Sequence, residues 1–97
     1  MFEDYPVELT MKHVILEGGY YDDGTYSGVV DYYDKEDKLL YIDVKNDVSL
    51  FSLDAIYKVK VMADQDSYYC EGVIEERYWL KDKKKVVLAI HKGFNKM

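Results

Sequence analysis

Paired carboxylates are one route to acid–base or metal chemistry, and such pairs occur at Asp22/Asp23, Asp64/Asp66 and Glu75/Glu76. Neighbouring residues of a strand point to opposite faces, which separates Glu75 from Glu76. The aspartates fall in turn-like segments, where short acidic side chains satisfy nearby backbone N–H groups. Asp64-Gln65-Asp66 has the opening spacing of a calcium loop, but the glycine and the later glutamate that complete such a loop are missing, so no metal site is expected. His13 and His91 lie beside apolar residues and read as partly buried structural side chains. Ser27, Ser49, Ser52 and Ser67 lack the glycine-flanked turn that exposes a nucleophile, and Cys70 has no cationic or glycine-rich setting to lower its pKa. No glycine loop cradles a phosphate. The expectation is a protein without catalysis, metal or cofactor.

The most suggestive group is Arg77-Tyr78-Trp79, because an arginine beside aromatics can stack on a ring or grip a carboxylate. In a straight strand Arg77 and Trp79 share a face with Glu75, so an internal cation–π contact or a cross-strand ion pair accounts for them as well. Tyr69, Arg77 and Trp79 are the candidate binding residues.

A chain of 97 residues suits one domain with a modest core, here taken as 1–97 with irregular ends at 1–10 and 93–97. Eleven tyrosines against three phenylalanines and one tryptophan favour pleated, half-exposed surfaces. The net charge of −6 and a single arginine make nucleic acid an improbable partner, since such binding rests on basic contacts to phosphate. The cluster Lys81, Lys83, Lys84 and Lys85 reads as a solvated turn that guards a sheet edge. One cysteine excludes an intrachain disulfide and points to a reducing, cytoplasmic location. The acidic start is unlike a signal peptide, and no apolar run reaches membrane-spanning length, so no membrane insertion is expected.

The elements that must position these residues are strands. Val14-Ile15-Leu16 forms a first strand over 12–17, ended by Gly18-Gly19. Asp23-Gly24 signals a tight hairpin into a strand over 25–33, in which Tyr26, Gly28, Val30 and Tyr32 face one way. Leu40, Ile42 and Val44 alternate in a third strand. Strand patterning fails over 49–56, where a short helical turn near 52–56 is expected, capped by Ser52. Tyr57, Val59, Val61 and Ala63 share the inner face of the next strand, with Lys58 and Lys60 outside. A long strand over 67–80 is expected to bend at Gly72, and Val86, Leu88 and Ile90 mark the last, over 85–91. Together they predict an all-β fold, a six-stranded small or split antiparallel barrel.

Leu50, Leu53, Asp54, Ile56, Tyr57, Val59 and Val61, followed by Tyr68, Cys70, Gly72, Val73, Glu76, Arg77 and Tyr78 and closed by Val87 and Ile90, resemble the N-terminal barrel that precedes the PilZ domain in cyclic di-GMP receptors of the flagellar-brake type. In that family the nucleotide is held by an Arg-x-x-x-Arg motif after the barrel and an Asp/Asn-x-Ser-x-x-Gly motif on the PilZ domain. Neither is present. The resemblance implies a cytoplasmic regulatory module that contacts a protein partner, such as a PilZ or motility protein, and is not sufficient by itself to bind cyclic di-GMP. Self-association through strand edges is a further expectation. The alternative is a small barrel of the Sm or SH3 type that binds RNA or peptide, because the segments 24–33, 39–44 and 53–59 follow a similar order.

Overall fold

In a computed structural model, described here over residues 2–15 and 18–96, six antiparallel strands close into a barrel. In chain order they are β1 Pro6–Val14, β2 Thr25–Asp34, β3 Leu39–Val44, β4 Ala55–Met62, β5 Ser67–Leu80 and β6 Lys83–Lys96. Around the barrel the order is β1-β2-β3-β6-β5-β4, with β4 pairing back onto β1. The connection from β3 to β4 therefore crosses the barrel end, carrying a 3₁₀ turn at Val48–Leu50. No helix among the described residues is long and apolar enough to cross a membrane.

Period-two patterning builds the interior. Val7, Leu9 and Met11 of β1, Leu40, Ile42 and Val44 of β3, and Tyr57, Val59 and Val61 of β4 all point inward and are buried. Cys70, Ile74, Val86, Leu88 and Ile90 complete the core from β5 and β6. Aromatic side chains fill both ends. Phe51, from the crossing linker, is fully buried against Tyr26 and Tyr57, at ring separations of 5.0 and 6.1 Å. At the opposite end Phe2 packs on Phe94 and Tyr68, at 4.7 and 5.3 Å.

Several boundaries differ from the sequence expectation. The irregular N-terminal segment is shorter than 1–10, with residues 2–5 in coil and turn: β1 starts at Pro6, a first-residue position where the missing N–H costs no ladder bond, and it ends at Val14. Leu16 and Glu17, assigned above to the first strand, lie outside the described residues. At the other end β6 runs to Lys96 because its tail pairs with β5 and Phe94 joins the Phe2 cluster. Asp23-Gly24 makes no tight hairpin. The last β1–β2 pair is Thr10–Thr25, and beyond it β1 continues against β4 alone. The helical turn lies at Val48–Leu50, not 52–56, and its cap is Asp47, whose Oδ1 accepts the Ser49 N–H at 3.0 Å.

Bulges explain the remaining differences. The β2–β3 register slips between Val30 and Tyr32, making Asp31 an extra residue, so Tyr33 turns inward and Tyr32 outward. At Gly72 the β5–β6 register also slips, in keeping with the expected bend. A Cβ there would overlap the Ala89 carbonyl oxygen and stand 2.9 Å from its carbon, so only glycine fits. Lys85 is not solvated. Its side chain is 7% exposed, with Nζ held 3.0 Å from Asp31 and in contact with Asp43. Burial alone would push its pKa down, but the two carboxylates outweigh that and hold it above the ordinary lysine value. His13 and His91, expected to be partly buried, are exposed.

Candidate functional site

The three candidate residues do not form one site. Tyr69 lies on the outer wall, where Lys58 Nζ sits 4.1 Å from its ring and Lys60, Glu8 and Thr10 surround it. Arg77 and Trp79 lie together at the end of the barrel that the linker crosses.

A third β5–β6 slip, between Ile74 and Glu76, changes the phase of β5 before Arg77. Arg77 therefore pairs with Val86 and Trp79 with Lys84, and Arg77 takes the inward side of the sheet instead of sharing a face with Glu75. Its guanidinium reaches across the barrel mouth and donates to the carbonyls of Phe51 and, at 3.4 Å, Ser49. The arginine thereby ties the linker to β5. Trp79 is 58% exposed, and the cation over its ring is Lys84, at 5.6 Å, not Arg77.

Beside Arg77 a depression of about 370 Å³ is lined by Met11, Val14, Leu50, Phe51 and Asp22. Asp22 accepts the Gly24 N–H at 2.9 Å and a short hydrogen bond from the Tyr26 hydroxyl. The Tyr26 hydrogen bond, then that from Gly24, holds the Asp22 carboxyl below its ordinary pKa, and the same carboxylate pushes the Tyr26 phenol up to about 12. Both Asp22 oxygens are thus committed to ordering this loop. Burial pushes the Cys70 thiol up to about 12, with Glu71 adding to the shift, which leaves it a core side chain. Among the described residues, no group of three or more His, Cys, Asp or Glu gathers to hold a metal.

The edge of β5 offers a different kind of site. Its pairing with β4 stops at Val73, yet the strand continues to Leu80 with β6 on one side only. Along the other side a shallow groove of about 540 Å³ runs between Leu53 and Glu76, Arg77 and Tyr78. Leu50, Leu53, Trp79 and Leu80 are exposed on the segments around it. Leu50 and Leu53 enter the sequence reading only as residues of the resemblance and not as binding candidates. Their signal was present, as large apolar residues in the one stretch where strand alternation lapses.

Comparison with protein-family models, with curated proteins and with solved structures finds no match for this chain.

Proposed function

We propose that this barrel is a non-catalytic regulatory module that works by binding another protein, in the manner its resemblance to the N-terminal barrel of PilZ-type motility regulators implies. The observation that carries this is the exposure of Leu50 and Leu53 on the linker beside Arg77, with Trp79 and Leu80 exposed farther along β5, since large apolar side chains left in water on neighbouring segments are a surface that a partner can cover. Two of the ionisable side chains near it are engaged in structure, Arg77 with the linker carbonyls and Asp22 with Gly24 and Tyr26. The partner is a cytoplasmic protein, and a PilZ or motility protein is the first to test. Cyclic di-GMP would need binding residues beyond those of this barrel.

The test is affinity capture from the native lysate, with a photo-crosslinker at position 50 or 79. A partner lost in Leu50→Ala and Trp79→Ala supports the proposal. Capture of nothing, or a partner indifferent to both changes, sinks it.

A second reading, an Sm-like barrel binding RNA, draws on the outer face where Lys58 and Lys60 border Tyr69. The chain's net charge of −6 opposes it. A gel shift with single-stranded RNA that weakens with salt would favour it, and no shift at low salt would end it.

A further inference from the structure

We infer that the free edge of β5, from Glu75 to Leu80, accepts an extended basic and apolar segment of a partner protein as an added strand. This rests on the protein-binding function proposed above and names its chemistry. Three observations support it. The edge is a strand stretch of ordinary length whose far side, among the described residues, pairs with no strand after Val73. A strand paired on one side only presents alternate N–H and C=O groups to whatever lies along the other, and such groups give added-strand complexes their affinity. The groove beside the edge has the Leu53 side chain as one wall, which supplies apolar contact for alternate side chains of the incoming segment.

Charge selects the occupant. Glu75, Glu76 and Asp54 are exposed along this edge and its facing linker, and none makes an ion pair among the described residues. The nearby cations are engaged elsewhere or lie past the end of the edge: Arg77 is turned toward the carbonyls of Ser49 and Phe51, Lys84 toward the Lys45 carbonyl and the Trp79 ring, Lys83 toward Asp43, and Lys81 stands in the hairpin beyond Leu80. The groove is therefore apolar with an acidic margin and fits a segment that alternates lysine or arginine with aliphatic residues. A second copy is the poorer occupant. Two β5 edges paired antiparallel about a twofold axis over 75–80 would set Glu75 opposite Leu80 and Glu76 opposite Trp79 of the other copy, so neither carboxylate meets the cation that a lysine-bearing segment would bring.

The probe is a short fluorescein-labelled peptide of alternating lysine and valine, titrated against the intact protein by anisotropy. Binding that weakens with salt and falls at least about fivefold in the double variant Glu75→Lys/Glu76→Lys is expected. Methylating alternate backbone nitrogens of the peptide should abolish binding, because the added strand then loses its donors. Equal binding of that methylated peptide, or of a glutamate–valine counterpart, overturns the inference. So does light scattering that shows a wild-type dimer lost in the double variant, since a second copy would then hold the edge. Circular dichroism of the double variant checks its fold, and the peptide comparisons on wild-type protein decide the matter if it unfolds. Failure of the peptide alongside a crosslinked partner at position 50 or 79 would remove the added strand and leave the protein-binding module standing.

Discussion

Replacing Gly72 by alanine adds one methyl group at the tightest place in the barrel. The new Cβ would overlap the Ala89 carbonyl oxygen, lying 2.9 Å from its carbon and 3.0 Å from Ile90 Cα. Ordinary van der Waals contact starts at 3.4 Å, so β6 must retreat by about half an ångström from the carbon alone. These are backbone atoms, so no rotamer change relieves the clash. Retreat is also blocked, because Ala89 is paired on its other side with Leu39. Overpacking costs about 1–3 kcal/mol, and a buried ladder bond pulled apart costs about 1–3 kcal/mol more. The lower entropy of the unfolded alanine chain offsets about 0.4–1 kcal/mol. These ranges centre on a net loss of about 3 kcal/mol, a large share of the ~5–15 kcal/mol typical of a domain. At this size the midpoint of thermal unfolding should fall by roughly 10–30 °C. Gly93→Ala is the matched control, since a Cβ there meets nothing within 4 Å and the backbone is not left-handed. Urea unfolding followed by far-ultraviolet circular dichroism measures both. If Gly72→Ala stays within about 0.5 kcal/mol of the parent, or Gly93→Ala loses as much, the steric account is wrong.

Lys85→Met should cost about 1–3 kcal/mol, less than a fully buried pair because Asp31 and Asp43 keep partial access to water once the ammonium is gone. The folded pKa of Lys85 is raised, so its contribution is present below the ordinary lysine value and lost as pH rises through the folded one; urea midpoints of parent and variant should converge at high alkaline pH. Tyr26→Phe should delete one phenol that ionises near 12, seen as a difference in the ultraviolet phenolate titration. The raised pKa of Tyr26 means that its bond to Asp22 stabilises below about pH 10 and is lost between about 10 and 12, so a phenolate titration unchanged in the variant would count against the bond. Cys70 should resist a thiol reagent in the native state and react at the rate of global unfolding, and fast labelling of native protein would contradict its burial.

Strands β3 and β4 were the most legible because they alternate without interruption along their length. The span of β5 was read to the residue, and the tight fit of Gly72 follows from a glycine set within a long strand. The misplacements share a cause. Alternation has a phase, and each extra residue at Asp31 or near Glu75 reverses it without any mark in the local sequence. This is why Tyr32 and Tyr33 exchange roles and why Arg77 turns toward the linker. Val7, Leu9 and Met11 were readable as a strand, but Pro6 masked their start. Lys85 was taken for a solvated side chain because its acidic partners lie in β2 and β3, far along the chain. At the candidate site, Arg77 and Trp79 were singled out by residue type, whereas the free edge beside them depends on where β4 begins, and strand composition cannot reveal that.

The ring closes where β1 meets β4, with Val7 opposite Val61. Hairpins between β4 and β5 and between β5 and β6 join neighbours in the chain, but this seam links segments separated by most of the domain. Loop-closure entropy must be met before its contacts can form, which places the barrel among slow-folding topologies, on the scale of milliseconds to seconds. During synthesis β1 emerges first and has one lateral neighbour until β4 has left the ribosome, a wait of several seconds at about 5–20 residues per second. A nascent chain paused in that interval exposes two raw strand borders, that of β1 and that of β3, whose partner β6 comes last, and the vulnerability of this protein to aggregation lies there more than in the finished barrel.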